Sequence, residues 1–255
     1  MADKVDEAFA LTTKLLFGKP LSPLARYSEW MKSRVSGGKS TKSVLGDGTA
    51  FIPEYGFFRK IPEHLVVSFE NLQTAAERKI ESVEGDETIA SIAKKMKSFA
   101  FFVPTFAEGR NLNVENTAVY IDCLNIRDSF DPFTSKNCAH DFSIMDSEAL
   151  FGCHRVIKSS FSIHCYNCVA VQRCLEMDFA KSCTDSLFCH NVENLDNCMF
   201  CFNTKSKRYA IGNIEVGKER YLQMKQQIVG EMVRQLETNG KLDFDIYDIL
   251  AKRTE

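Results

Sequence analysis

The sequence predicts a mixed α and β fold: a short parallel β-solenoid of 15-residue coils, capped by α-helices at both ends. Three observations lead there. All ten cysteines of the 255-residue chain fall between Cys123 and Cys201. Six of them, Cys123, Cys138, Cys153, Cys168, Cys183 and Cys198, follow one another at intervals of fifteen. The residue ahead of each, Asp122, Asn137, Gly152, Asn167, Ser182 or Asn197, is a type that tolerates left-handed backbone.

A fixed short period, with a small residue at one column and a turn former beside it, is what stacked coils of parallel strand require. Each coil lies about 4.8 Å from the last, so equivalent positions form ladders. A second column, Val114, Ser129, Ile144, Ser159, Cys174, Cys189 and Thr204, is also small or β-branched. The expectation is about seven coils over residues 109–213, with the six cysteines as a structural packing ladder. Cysteine suits that place because it is a small hydrophobe that fills a narrow interior where Leu would overpack. Fifteen residues cannot hold two helices and a turn, which excludes helical repeats.

Residues 1–108 read as a mainly helical N-terminal region. A helix is expected over 5–17, with Val5, Phe9, Leu15 and Leu16 on one stripe and Gly18-Lys19-Pro20 as its stop. Ser22 then caps a helix that Pro23 opens, carrying Leu24, Tyr27, Trp30 and Met31. Residues 36–40 read as a loop, and the Gly-, Pro- and aromatic-rich 45–60 as irregular chain or a short hairpin. Further helices are expected over 68–83 and, after an Asp86 cap, over 87–99 with Ile89, Ile92, Ala93 and Met96 inward. Residues 214–255 form the C-terminal helical cap. Its helix, 218–236, aligns Tyr221, Met224, Ile228, Met232 and Leu236, and a short segment follows at 244–250. The flanks would cover the open edges of the solenoid, which otherwise pair with other chains.

Where the repeat meets that cap, residues 201–213 read CFNTKSKRYAIGN. Lys205, Lys207, Arg208, Tyr209, Ile211, Asn213, Lys218, Glu219 and Tyr221 stand at the spacing of a group of cysteine-rich, β-solenoid-like repeat proteins of candidate-phyla bacteria and environmental genomes. Roughly residues 160–232 resemble that group. The resemblance implies the repeat architecture and carries no activity.

Lys plus Arg number 32 against 34 Asp plus Glu, for a formal net charge of -2. That balance lacks the basic surplus of a phosphate-neutralising protein, so nucleic acid is not an expected partner. The N-terminus alternates charged and apolar residues and lacks the apolar core of a signal peptide. The aromatic-apolar run 99–103 is far too short to span a bilayer. No membrane association is expected, and the expected location is cytoplasmic, where cysteines stay reduced.

Cys165-x-x-Cys168 and Cys198-x-x-Cys201 invite a zinc reading. On 15-residue coils, however, equivalents thirty apart lie about 9 to 10 Å from each other, whereas a shared zinc wants each sulfur about 2.3 Å away. Disulfides between coils are disfavoured by the Cβ separation of in-register parallel neighbours. No cofactor is therefore expected, with zinc the lesser reading. His140, His154, His164 and His190 are expected on exposed faces, because a buried cysteine sends its neighbours outward. Gly38-Lys39-Ser40 lacks the upstream glycine of a phosphate loop, since position 33 is Ser33. Asp128, Asp131, Asp141, Asp146 and Glu148 read as a solvated acidic face.

No catalytic set and no small-molecule substrate are evident, and no Thr-x-Thr ladder suggests ice binding. The expectation is a non-enzymatic structural or protein-interaction protein, self-associating or docking onto other subunits of an assembly. The alternative is a metal-binding or enzymatic solenoid that uses the cysteine-rich coils.

Overall fold

In the computed structural model, which describes residues 3–249, every third residue from Asn113 to Gly212 has positive φ. The turn formers singled out above are among them: Asp122 (51°), Asn137 (58°), Gly152 (66°), Asn167 (53°), Ser182 (52°) and Asn197 (53°). Each left-handed residue bends the chain, and the residue after it points inward. Every third position from Cys123 to Cys201 is accordingly buried.

Four such bends close one coil. Registers pair Leu124 with Lys136 and Lys136 with Glu148, Phe130 with Phe142 and Phe142 with His154, Leu175 with Leu187, and His190 with Phe202. The pairing is parallel and each step is twelve residues. The fold is the predicted mixed one, a parallel β-solenoid with helices before and after it, and it makes about nine turns. The coil length is corrected from fifteen to twelve, and the coil count from seven.

The reason lies in the three-residue segment. Any spacing that is a multiple of three returns a residue to the interior, and all ten cysteines obey that rule. Fifteen residues is one coil plus one segment. Cys123, Cys138, Cys153, Cys168, Cys183 and Cys198 therefore do not form a single ladder; they wind stepwise around the interior. The cysteines stacked directly are Cys153 with Cys165 and Cys189 with Cys201, and each lower sulfur accepts the upper residue's amide, at 3.5 and 3.4 Å.

Those contacts belong to a general device. At many turns the N–H of the inward residue lacks a strand partner and donates to the inward side chain twelve residues earlier. Ser147 donates to Ser135 Oγ, Ser159 to Ser147 Oγ and Val171 to Ser159 Oγ, at 3.2, 3.2 and 3.0 Å. Cys174 and Cys198 donate to the hydroxyls of Ser162 and Ser186. Each hydroxyl in turn donates to a carbonyl two residues back, as Ser135 does to Phe133 at 2.7 Å. Small side chains that both donate and accept thus satisfy buried backbone that would otherwise cost about 1–3 kcal/mol per group.

Helix α1 (Lys4–Phe17) is capped by the Asp3 carboxylate, which accepts from the Val5 and Asp6 amides, and ends at left-handed Gly18. It lies along the solenoid. Phe9 meets Phe151 edge-on at 5.2 Å, and Val5, Phe9 and Leu16 share one core with the ladder Ala139, Phe151, Ile163, Leu175, Leu187 and Met199. Leu15, expected on the buried stripe, is exposed. The single helix expected after Ser22 is a 3-10 turn, Leu24–Tyr27, followed by α2 (Ser28–Met31). Pro23 itself sits at the cap position and supplies no side-chain bond, so Ser22 is not the cap. Trp30 and Met31 are nonetheless buried. Met31 approaches so closely that a Cβ on Gly152 would lie 2.6 Å from its carbonyl oxygen, which explains the glycine.

The next segment opens with a hairpin, β1 (Gly38–Lys42) antiparallel to β2 (Thr49–Pro53), so three of the five residues of the expected 36–40 loop are strand. Helices α3 (Leu72–Ala76) and α4 (Ile89–Met96) are far shorter than expected. Thr88, not Asp86, caps α4, through a reciprocal box with Ser91. None of its apolar residues is buried, and Ile89 is 92% exposed, because no solenoid face lies beneath it. Residues 1–108 are thus corrected from mainly helical to mostly turns, 3-10 segments and hairpin, with aromatic side chains docking singly. Tyr55 and Phe58 settle on Phe142 and Phe130, at 4.7 and 5.3 Å.

After the last coil, Arg208–Ile211 pairs antiparallel with Ile214–Glu215, so the chain's own reversal occupies part of the terminal edge. Helix α5 (Lys218–Asn239) then buries Tyr221, Val229, Met232 and Leu236, with Met224 and Ile228 packed partly beneath, and ends at left-handed Gly240. The expected 244–250 segment contributes Phe244 and Ile246 to the same core; Leu250 lies outside the described residues.

Leu150 points inward and Met145 outward, so the two test which residues form the interior. Leu150→Ala is expected to cost about 2–5 kcal/mol in denaturant unfolding, and Met145→Ala no more than about 0.5 kcal/mol.

Candidate functional site

Cys165 and Cys168 occupy consecutive inward positions, as do Cys198 and Cys201. Cys165 and Cys201 stand in one column three coils apart, about 14 Å by strand spacing. One tetrahedral ion cannot bridge the four. Among the described residues no group of three or more His, Cys, Asp or Glu is placed to hold a metal ion. All ten thiols are free and buried. Burial pushes the thiols of Cys138, Cys165 and Cys189 well above the ordinary value, and that of Cys183 up to about 11. Thiols held protonated in this way are poor nucleophiles and poor ligands, which suits packing; the Cys201 thiol is the exception, lowered by hydrogen bonds from the Cys189 and Cys198 thiols beside it.

The histidines do point out of the coil, but His140 and His164 are buried beneath the N-terminal segment rather than exposed. His140 Nε2 lies 3.1 Å from Ser28 Oγ of α2, while its Nδ1 is 3.9 Å from Asp128 Oδ2. That set resembles a nucleophile with its base, yet 3.9 Å is beyond a hydrogen bond, so among the described residues the base has no orienting partner. Burial holds His140 down to about 4, and it is neutral at physiological pH. His164 Nδ1 is 2.6 Å from Glu176 Oε1, and both residues are buried. The second oxygen of Glu176 accepts the Ile246 amide at 2.9 Å, and the Trp30 ring stands edge-on to His164 at 4.9 Å. One buried pair therefore pins both flanking segments to the solenoid.

His190 pairs with Asp178 at 2.8 Å, and His154 stacks on Phe142 at 4.6 Å. Of the expected acidic face, Asp141 belongs to the interior instead. It falls on the three-residue inward period, accepts the Cys153 amide at 2.7 Å, and burial pushes its carboxyl well above the usual range. Glu148 is paired with Lys136, and Asp146 accepts from Thr134. Gly38-Lys39-Ser40 lies in β1, where Lys39 pairs with Glu63.

A pattern missed in the sequence is that these partners stand twelve apart. Lys136–Glu148, His164–Glu176, Arg173–Asp185, His190–Asp178, Lys181–Glu193 and Arg208–Asp196 all couple adjacent coils. Opposite charges recurring at that interval would have revealed the coil length.

Several outer columns are occupied. The ladder from Ala139 to Met199 lies under α1 and α5, Phe130 and Phe142 lie under Tyr55 and Phe58, and Tyr166 meets Tyr247 at 5.7 Å. Among the described residues one apolar ladder is left uncovered: Ile121, Phe133, Met145, Ile157 and Val169, in direct register along successive coils. None of the five joins a buried cluster. Met145, Ile157 and Val169 are 42%, 36% and 39% exposed, and Ile121 and Phe133 are half-buried. The stripe is about 19 Å long at 4.8 Å per coil. It continues into Lys181, Glu193 and Lys205, and is edged by exposed Asp122, Thr134, Asp146 and Lys158. An apolar stripe with a charged border is a surface suited to another protein.

The class these features define is a β-solenoid with one open apolar face. No protein-family model and no curated protein matches the chain. Among the described residues no helix is long and apolar enough to cross a membrane.

Three outcomes test the site chemistry. Ellman titration should find no reactive thiol in the folded protein and ten after unfolding. Glu176→Ala should destabilise the protein in chemical denaturation by about 1–3 kcal/mol for each partner left unsatisfied, because the His164 ring and the Ile246 amide both lose their buried partner. His140 is held below its unfolded value, so the unfolded chain takes up the proton first as pH falls; stability should decline from about pH 6.5 to about 4 and then level off. His140→Gln should flatten that part of the pH profile.

Proposed function

We propose that the protein is a non-enzymatic structural protein of the cytoplasm, a rigid solenoid that docks through its open face onto itself or onto other subunits of a larger assembly. The observation that carries the reading is the uncovered ladder from Ile121 to Val169 on a scaffold whose other apolar outer columns are largely occupied. Support comes also from the interior. Ten buried thiols act as packing and backbone-satisfying groups in a reducing compartment. The four cysteines of the zinc reading are spread over three coils, which disfavours a metal-binding solenoid.

Native mass spectrometry of protein purified from its source cells without added metal tests this. The expected result is a species heavier than the monomer, without stoichiometric metal, that collapses to monomer when Met145 and Ile157 are both replaced by Glu. A monomer carrying stoichiometric zinc, iron or copper would overturn the reading.

A further inference from the structure

We infer that the occupant of the open face is a second copy of this chain, laid face to face with its coil axis antiparallel. The inference rests on the docking reading above and commits it to one partner. The argument is the distribution of charge along the face. Toward its N-terminal coils the border carries Asp122, Asp131 and Asp146; beyond them it carries Arg155 and Lys158, while the ladder itself runs on into Lys181, Glu193 and Lys205. Asp146 and Lys158 are left-handed residues of adjacent coils in one column, both exposed.

A two-fold axis in the interface, crossing the face between the Met145 and Ile157 coils, sets Met145 on the partner's Ile157 and Phe133 on the partner's Val169. It also sets Asp146 against the partner's Lys158, twice by symmetry. Arg155 then stands opposite the partner's Ser143, and Ile121 lies against the stem of the partner's Lys181. Farther out, Glu108 meets the partner's Glu193, whose charge is offset by the lysines on either side of it in the ladder. The parallel arrangement exchanges the two borders and brings Lys158 against the partner's Arg155, a like-charge contact. An axis through Met145 places Asp146 on itself. The antiparallel register between the two coils is therefore the self-complementary one, as an isologous contact requires.

The face is three residues wide and about eight coils long, roughly 10 by 40 Å by strand dimensions. That is about half of the ~800 Å² per partner of a standard interface, so the dimer is weak and concentration-dependent.

Sedimentation equilibrium of the full chain from about 1 µM to 1 mM, a range spanning weak association, should show a reversible monomer–dimer transition. Asp146→Lys and Lys158→Asp should each weaken it about tenfold, the doubly substituted chain should regain it, and an equimolar mixture of the two single variants should form a heterodimer. Met145→Glu should abolish it, and circular dichroism and cooperative unfolding should show that all variants stay folded. A chain that is monomeric throughout, or charge swaps that weaken the dimer without rescue, overturns the antiparallel copy. If the recombinant chain stays monomeric while Met145→Glu still breaks up the assembly from source cells, the second copy is excluded and the docking reading stands. If Met145→Glu changes neither, both fall.

Discussion

At many turns of the coil the inward amide has no strand partner, and its satisfaction governs what the interior can contain. Where a side chain satisfies it, the acceptor comes from the coil below, twelve residues earlier, and is small enough to leave room for three other inward residues at the same level. Ser, Cys and Asp meet both demands. This is why Ser135, Ser147 and Ser159 stack in one column while Cys153 and Cys165 stack in another, each lending an oxygen or sulfur to the coil above. The cysteines that dominate the sequence are one solution among several to a backbone problem, and the serines beside them solve it equally well.

The left-handed residue every third position is the other half of the constraint. A non-glycine residue there is strained in isolation, and bulky examples such as Val119, Phe161, Phe188 and Tyr209 occur. Stacking makes the strain tolerable, because each bend is fixed by hydrogen bonds to the coils on either side. The same stacking brings side chains twelve apart into contact, and Lys–Glu, Arg–Asp and His–carboxylate pairs run up the outside as charged ladders. Most are exposed and modest in energy. His164–Glu176 differs because Trp30 and the segment around Ile246 seal it, which turns a surface rung into an anchor for both ends of the chain.

The solenoid was legible from the cysteines and from the turn formers preceding them, whose left-handed backbone is found at each of those positions. The coil length was not, because six cysteines at fifteen-residue spacing satisfy the three-residue inward rule as well as a true repeat would. Cys165, Cys174, Cys189 and Cys201, at intervals of three, six and nine from the others, carried the finer period, and the charge pairs carried the coil. The helix α5 could be read because its apolar stripe is long and ends at Gly240. The segment between Gly38 and Phe102 could not, since its aromatic residues find partners on the solenoid one at a time and leave no periodic trace. His140 and His164 were misplaced for a related reason: alternation shows which side of a strand a residue occupies, and says nothing of a helix laid over that side.

Gly212 and the short reversal at Ile214–Glu215 end a structure that has no intrinsic length. An insertion or deletion of twelve residues lengthens or shortens the rod by one strand spacing and leaves each outer column where it was. An insertion of three residues is different. The interior remains in phase, with every Cys and Ser still inward, yet all faces downstream rotate by a quarter turn, and the apolar ladder beneath α5 changes places with a polar one. The interior therefore counts in threes and the exterior in twelves, so the rod can gain or lose whole coils while the azimuth of the open face stays fixed.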